Sequence, residues 1–306
     1  MKTRSTARTL SEKIFELKKK RKAVILAHNY QLPEVQDIAD FVGDSLELSR
    51  CAEKTNAEVI IFCGVLFMAE TASIICPDKK VILPDKNAGC PLADMITPED
   101  VKKLKKKFPG RPVVCYVNTP ASVKAESDIA CTSANAVKVI NSIKEDEIIF
   151  IPDRHLSEYV QRKTDKKIIH WNGYCPFHEK ISTEDIEKAK RNNPDAKVMV
   201  HPECRIEVIE LADAVLSTSG MIKYAKETNS KKFIVGTEIG IIHRLKKENP
   251  EKEFIPASEL AFCSTMKVIT LEKVLWALED LKPEIKVPER IRKMAMSSIN
   301  KMLNLV

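Results

Sequence analysis

A threefold internal repeat constrains the fold of this chain more than any other feature of its sequence. The segment from Val113 to Ala136 aligns with Val198 to Met221, 85 residues later, and with a segment 88 residues earlier. The matched polar positions are His28, Tyr116 and His201; Tyr30, Asn118 and Glu203; Asp40, Asp128 and Asp213; and Ser45, Ser133 and Thr218. Several polar matches at constant offsets are not expected from chance similarity of apolar strands, so we interpret the repeat as structural.

Each repeat reads as strand, helix, strand, helix, strand, loop, helix. The strands are short and wholly apolar, as in "AVILA" and "KVMV", which is typical of a parallel sheet buried on both faces and covered by crossover helices. We therefore predict the α/β class, with three similar parallel-sheet sandwich domains related by a pseudo-threefold repeat. The predicted domains are residues 1–95 plus 270–306, residues 96–180 and residues 181–269. The C-terminal segment, which includes a short strand "EIKVP", is expected to pack back on the first domain.

The N-terminal ends of the predicted helices also recur at the repeat spacing. Thr97, Ser182 and Thr270 each precede a helical pattern with an acidic residue in its first turn, which predicts that they are N-caps. A fourth copy begins at Thr9.

Bulk properties narrow the class of protein. The longest apolar run, Val59 to Ala69, is about half of what a membrane span needs, and the first residues contain no apolar signal segment. We therefore expect a cytoplasmic protein without a membrane partner, whose nine cysteines do not form disulfides. The net charge of +7 suits an anionic small molecule. Nucleic acid is not expected, because the lysine runs end helices and no aromatic residues lie among them.

The repeat places polar residues where strands end. His28, Tyr30, Tyr116, Asn118, His201 and Glu203 lie where apolar runs stop, and ligands of open parallel sheets bind at the carboxyl ends of the strands. Around a pseudo-threefold axis these ends would meet in one central pocket.

Three of the cysteines occupy equivalent positions in the three repeats. Cys90, Cys175 and Cys263 are 85 and 88 residues apart, each in a loop after the third predicted strand of its unit. Three thiolates at a threefold axis could hold one metal centre. A structural zinc would need a fourth ligand, whereas a [4Fe–4S] cluster with three cysteines leaves one iron open to substrate. The other cysteines align with apolar or small positions or lie in helical runs, and we interpret Cys204 as a loop residue rather than a ligand.

The hydroxyl residues Ser45, Ser133 and Thr218 each follow a strand and open a helix. Hydroxyls and free N–H groups at a helix start can bind a phosphate or a carboxylate. Alternatively, each hydroxyl only caps its helix; their equivalence in the repeat favours an anion site.

The motifs "ILAHNYQLPEVQDIADFVGDSLELSR", "FMAE", "AGCPLAD", "CYVNT", "CTSANAV", "GYCPFH", "VHPEC", "STSGM" and "GTEIGIIHRL" together resemble the quinolinate synthase family over essentially the whole chain. The resemblance implies an enzyme of de novo NAD synthesis that condenses iminoaspartate (iminosuccinate) with dihydroxyacetone phosphate to quinolinate, phosphate and water. It implies a [4Fe–4S] cluster bound by Cys90, Cys175 and Cys263 at the junction of the domains. It also implies transient supply of iminoaspartate by an aspartate oxidase or dehydrogenase.

The same resemblance assigns roles to the residues found by the repeat. Tyr30, Tyr116, His201 and Glu203 would be catalytic. Substrate would contact His28, Ser45, Tyr116, Val117, Asn118, Ser133, His201, Pro202, Glu203 and Thr218. Two other classes stay open at this point: another iron–sulfur hydro-lyase that acts on a small acid, and a non-enzymatic cluster or zinc sensor.

Overall fold

The computed structural model describes residues 9–305. Residues 1–8, most of the N-terminal stretch that is predicted to contain no export signal, lie outside the described residues. The described chain contains three parallel sheets of four strands each. Their strands are β1 (Ala23–His28), β2 (Phe41–Gly43), β3 (Val59–Cys63), β4 (Lys80–Ile82), β5 (Val113–Tyr116), β6 (Ile129–Cys131), β7 (Glu147–Ile151), β8 (Lys167–His170), β9 (Lys197–Val200), β10 (Ala214–Val215), β11 (Lys232–Gly236) and β12 (Glu253–Pro256).

The three sheets share one topology, with strand orders β2-β1-β3-β4, β6-β5-β7-β8 and β10-β9-β11-β12. The helices are α1 (Leu10–Lys20), α2 (Pro33–Ile38), α3 (Ser45–Lys54), α4 (Leu66–Ile75), α5 (Pro98–Lys107), α6 (Ala121–Ala125), α7 (Ala136–Ser142), α8 (Arg154–Gln161), α9 (Thr183–Asn192), α10 (Ile206–Ile209), α11 (Thr218–Glu227), α12 (Ile241–Glu248), α13 (Leu271–Asp280) and α14 (Glu289–Asn304). The predicted fold class, three similar parallel α/β units, is therefore confirmed.

The matched aspartates explain why one polar position recurs in every unit. Each carboxylate accepts a hydrogen bond at 2.8 Å from the backbone N–H fifteen residues earlier, in the first strand of its own sheet: Asp40 from Ile25, Asp128 from Val113 and Asp213 from Val198. The N–H of each aspartate also donates to the carbonyl of that same strand residue, at 2.9 Å. These aspartates are thus clamps that fix the edge strand to its neighbour.

The predicted helix caps are confirmed. The side chains of Thr9, Thr97, Ser182 and Thr270 each accept a hydrogen bond from the backbone N–H three residues ahead. Such caps satisfy N–H groups that the first helical turn leaves without a partner.

Two predicted details are wrong. Each unit has four strands rather than three, so Cys90, Cys175 and Cys263 follow the fourth strand of their unit. The fourth strands are only three or four residues long and lie at the sheet edge, where the apolar pattern is weak. The predicted strand "EIKVP" is a single antiparallel bridge between Glu284 and Ile82.

The C-terminal helices contact two units. Helix α13 packs against α1. Arg21, which follows α1, donates from Nε to the carbonyl of Leu278 in α13 at 3.1 Å. Helix α14 packs mainly against α6 and β6, where Ser298 Oγ donates to the carbonyl of Lys124 at 3.0 Å. The segment therefore bridges the first and second units, and the domain boundaries stay a prediction.

Candidate active site and metal centre

The polar residues at the ends of β5 and β9 meet directly. The hydroxyl of Tyr116 donates to Glu203 Oε1 at 2.6 Å, and Asn118 Nδ2 contacts the same oxygen at 3.4 Å. Glu203 is 3% exposed. Tyr116 and Asn118 belong to the second unit and Glu203 to the third, so the strand ends of different units converge as the repeat predicts.

A histidine in the loop after β8 completes the surroundings of this carboxylate. His178 Nδ1 lies 2.9 Å from Glu203 Oε2 and 3.2 Å from Cys175 Sγ. Burial opposes ionisation of Glu203, but His178 and the hydrogen bond from the Tyr116 hydroxyl outweigh it and lower the pKa of the carboxyl group. Glu203 is therefore a carboxylate that can accept a proton.

Tyr30 joins the same network from the first unit. Its hydroxyl lies 2.6 Å from Thr237 Oγ1, which in turn lies 2.8 Å from His178 Nε2. Burial and the negative charge of Glu203 raise the pKa of Tyr30 well above 10. The phenol is thus protonated at neutral pH and can donate a hydrogen bond or a proton.

The two strand-end histidines, His28 and His201, are buried and neutral. Burial lowers the pKa of each to about 3; Lys267 adds to this effect at His28, whereas Glu203 partly opposes it at His201. Their Nδ1 atoms accept hydrogen bonds from the N–H groups of Tyr30 (3.2 Å) and Glu203 (3.3 Å). A neutral imidazole that accepts at Nδ1 carries its proton on Nε2, so each ring offers an N–H donor on that side.

The three repeat-related hydroxyls are not the helix caps. The capping side chains belong to the preceding residues: Asp44 caps α3 and Ser217 caps α11. Ser45 and Thr218 are instead the first helical residues, and Ser133 lies in the turn before α7, whose N-cap is Asn135. The alternative that these hydroxyls only cap helices is therefore wrong, and they are free to face a ligand.

The three cysteines of the repeat sit in loops of the same construction. The carbonyl of each accepts a hydrogen bond from the backbone N–H four residues ahead, that of Asp94, Glu179 or Lys267, at 2.9–3.2 Å. Backbone N–H groups at the start of these turns also reach the sulfurs: those of Leu92 and Ala93, of Phe177 and His178, and of Met266. Burial raises the pKa of each thiol, whereas these N–H groups favour the thiolate.

A buried ion pair fixes the third cysteine loop. Glu238, 1% exposed, accepts from the Cys263 N–H at 3.0 Å and from Lys267 Nζ at 2.9 Å through the same carboxylate oxygen. Lys267 Nζ also contacts the carbonyl of Tyr30. The pair therefore ties the Cys263 loop of the third unit to the strand end of the first.

A second donor set lies around Cys175. Its ligand atoms and those of His178 and Glu203 are within 4.8 Å of one another, a spacing that also suits a single cation with sulfur, nitrogen and oxygen ligands. Two of these pairs are already at hydrogen-bond distance. This set shares Cys175 with the cysteine triad, so the two cannot both be filled.

Comparison with known proteins identifies the family. A family model described as quinolinate synthetase A protein matches residues 12–304. This chain belongs to that family. A protein of Dehalococcoides mccartyi strain CBDB1 that is named quinolinate synthase is 58% identical over 297 residues, which cover 97% of this chain and 98% of the relative. Proteins of the same name from Methanosarcina barkeri and Thermodesulfovibrio yellowstonii are each 54% identical, over 96% of this chain.

In this member of the quinolinate synthetase A family, one central cavity collects almost all of the residues predicted as site residues. Pro202 is the exception: it is buried in the turn between His201 and Glu203 and does not line the cavity. The cavity is lined by His28, Tyr30, Ser45, Cys90, Tyr116, Val117, Asn118, Ser133, Cys175, His201, Glu203, Thr218 and Cys263.

The sequence reasoning missed several members of the site, above all His178, Thr237, Glu238 and Lys267. His178 follows Cys175 by three residues in a motif that was noted only for its cysteine. The repeat did not reveal it, because the corresponding residues beside Cys90 and Cys263 are Ala93 and Met266. A histidine three residues after a repeat-matched cysteine was the available signal.

The remaining cysteines are separate from the cavity lining. Cys63, Cys115 and Cys131 are fully buried in strands. Cys204 is also fully buried, and its thiol points to the carbonyl of Gly236 at 3.4 Å. Its placement agrees with its interpretation as a non-ligand.

Within residues 9–305, no helix is both long enough and apolar enough to cross a membrane.

Proposed function

We propose that this protein is a quinolinate synthase that condenses iminoaspartate with dihydroxyacetone phosphate, giving quinolinate, phosphate and two waters, in de novo NAD synthesis. The observation that carries the proposal is the cavity in which the same repeat positions of three units meet. It combines three thiols, a buried carboxylate, a protonated phenol and three hydroxyls. Membership of the quinolinate synthetase A family, and the names that its relatives carry, support the same reaction.

The cysteines fit a [4Fe–4S] cluster with one open iron. Three thiols come from equivalent loops, and each is faced by backbone N–H groups that favour its thiolate form. We propose Cys90, Cys175 and Cys263 as the ligands, and when bound the cluster supplies a Lewis-acid iron. The set around His178 is the weaker candidate, because His178 already bridges Cys175 and Glu203 as a hydrogen-bonding group.

The acid–base groups are placed for a reaction that both adds and removes protons. Glu203, held by Tyr116 and Asn118, would accept protons during isomerisation and dehydration. Tyr30 would donate, because its phenol stays protonated. Thr237 and His178 lie between these two groups and orient them.

The neutral histidines and the hydroxyls suit oxygen-rich, anionic substrates. The Nε2–H groups of His28 and His201 are neutral donors that do not change charge near pH 7. His201 Nε2 lies 3.1 Å from Ser133 Oγ, so the serine accepts there and keeps its own proton for a substrate oxygen. Ser45, Ser133 and Thr218 would then bind phosphate or carboxylate oxygens.

An anaerobic assay tests the proposal. The cluster-loaded protein is supplied with iminoaspartate, generated in place, and dihydroxyacetone phosphate, and quinolinate and phosphate are measured together. Equal amounts of both products are expected. Dehydration of a single small acid without phosphate release would instead favour a hydro-lyase, and no turnover with either substrate set would contradict an enzymatic role.

A further inference from the structure

Asn29 is a buried polar residue beside the cavity that does not itself line it, and the proposed chemistry does not use it. It lies between His28 and Tyr30 and is 0% exposed. The equivalent residues of the other two units are Val117 and Pro202, which cannot form side-chain hydrogen bonds. A polar side chain at a position that is apolar in the other units needs a specific reason, because burial of an amide is unfavourable unless its groups are paired.

The contacts of Asn29 fix the direction of its amide group. Arg244, on α12, donates from Nη1 to Asn29 Oδ1 at 2.8 Å and to the carbonyl of Val42 at 2.7 Å. A guanidinium has no acceptor, so the Asn29 atom that faces it must be the carbonyl oxygen. The NH2 group of Asn29 then faces Thr218 Oγ1, at 2.8 Å.

This direction fixes the role of the Thr218 hydroxyl. Because Thr218 Oγ1 accepts from Asn29, its own proton is available to a group in the cavity, which Thr218 lines. Ser133 stands in a parallel situation: it lies 3.1 Å from His201 Nε2, a nitrogen that carries a proton. Two of the three repeat-related hydroxyls are thus oriented as donors by neighbours that can only donate to them.

We propose that Asn29 and Arg244 are positioning residues that hold the Thr218 hydroxyl as a hydrogen-bond donor to an oxyanion of the substrate. The inference rests on the proposed function and extends it by naming how the third-unit hydroxyl recognises its ligand. The ligand group is a phosphate or a carboxylate, since both present oxygen acceptors with negative charge. Neither Asn29 nor Arg244 needs to touch the substrate.

The direct test reverses the hydrogen bond between residue 29 and Thr218 while it keeps the shape of the side chain at residue 29 nearly constant. In Asn29→Asp, both carboxylate oxygens accept, so the Thr218 hydroxyl turns to donate to the new carboxylate and is lost to the ligand. Equilibrium binding of inorganic phosphate and of quinolinate is measured on cluster-loaded protein, beside KM and kcat. At least one of the two anions is expected to bind about tenfold more weakly, since a hydrogen bond to a charged group is lost, with a larger effect on KM than on kcat.

A double-variant cycle separates this effect from the added charge. In a Thr218→Val background there is no hydroxyl to turn, so Asn29→Asp is expected to cause no further loss. Weakening of equal size in both backgrounds would show a charge effect alone and would overturn the proposal. Loss for phosphate only would assign Thr218 to the triose phosphate, and loss for quinolinate only would assign it to a carboxylate; no loss for either would also overturn the proposal.

Arg244 provides a second test that adds no negative charge beside the cavity. Arg244→Met frees the Asn29 amide to turn, so it should weaken the same anion as Asn29→Asp. Arg244→Lys keeps a group that can only donate and should restore most of that affinity. His243→Asn is the matched control. His243 precedes Arg244 on α12 but contacts Asp37 on α2, away from Asn29, so this substitution should leave the affinity unchanged.

Equal affinity in Arg244→Met and the unsubstituted protein would overturn the role of Arg244. Failure of the proposed function would look different: the unsubstituted protein would make no quinolinate, while the binding comparison would still report on the Thr218 hydroxyl.

Discussion

Replacement of Glu203 by glutamine tests the centre of the proposed mechanism, because it removes a proton acceptor and its negative charge while it keeps the shape of the side chain. Glutamine has the same shape, and its side-chain oxygen can still accept from Tyr116 and Asn118, which share one carboxylate oxygen in this structure. The new NH2 group would face His178, whose Nδ1 can accept once the ring carries its proton on Nε2, where Thr237 Oγ1 can accept it. The buried site therefore keeps its hydrogen bonds, and we expect the variant to fold and to retain its iron and sulfide.

The expected loss lies in turnover rather than in binding. A positioned general acid or base contributes about 10²- to 10⁴-fold, so kcat should fall by that factor, or about 3 to 5 kcal/mol in the barrier. KM should stay equal or decrease, because a negative charge has been removed from a cavity that is proposed to receive anionic substrates. The measurement is anaerobic quinolinate formation at varied triose phosphate, with iron and sulfide content determined on the same samples.

The matched control is the neighbouring residue in the chain. Cys204→Ala changes a thiol that is fully buried, bonded to the Gly236 carbonyl and absent from the cavity lining, so normal cluster content and normal kcat are expected. A kcat of Glu203→Gln within about tenfold of the unsubstituted protein would refute Glu203 as the proton acceptor. Cluster loss in Cys204→Ala would refute the assignment of the ligands.

Three further outcomes can be measured on single variants. Alanine at Cys90, Cys175 or Cys263 should abolish iron and sulfide incorporation after anaerobic reconstitution, whereas Cys51→Ala should not; full incorporation would remove the substituted cysteine from the ligand set. Ser133→Ala should weaken triose phosphate binding by about 1.5–3 kcal/mol without changing the cluster absorbance, and unaltered affinity would contradict an anion role for this hydroxyl. Because burial lowers the pKa of His28 and of His201 to about 3, each stays neutral when folded but takes up a proton on unfolding below about pH 6.5. Each histidine therefore lowers the free energy of unfolding by about 2 kcal/mol as the pH falls from 8 to 5. In urea unfolding, His201→Asn should lose about 2 kcal/mol less stability over this pH range than the unsubstituted protein does. An equal loss in both proteins would contradict a neutral His201.

The sequence alone predicted which residues lie at the site better than it predicted the hydrogen bonds between them. The repeat located His28, Tyr116 and His201 because carboxyl ends of parallel strands meet at one edge of a sheet, a rule that needs no side-chain detail. The repeat could not reveal the hydrogen bond between Arg244 and Asn29. These residues are 215 positions apart in the chain and come together only through the packing of the first and third units. It also missed the fourth strands, such as β4, because a three-residue edge strand carries too little apolar pattern to be distinguished from a loop.

The interactions that orient the hydroxyls cross the boundaries between units, and this has a mechanical consequence. Ser133 of the second unit is oriented by His201 of the third, and Thr218 of the third unit by Asn29 of the first. Each hydroxyl is therefore a competent donor only while its own unit is seated against the unit that orients it. A small rotation of one unit would break a hydrogen bond of about 3 Å, so anion binding and packing of the units stabilise each other by linkage. The units share the Asp clamps, the cysteine turns and the hydroxyl positions, but they differ at the strand ends. The two unlike substrates that we propose would need such a difference, because three identical strand ends would present the same groups to every part of the ligand.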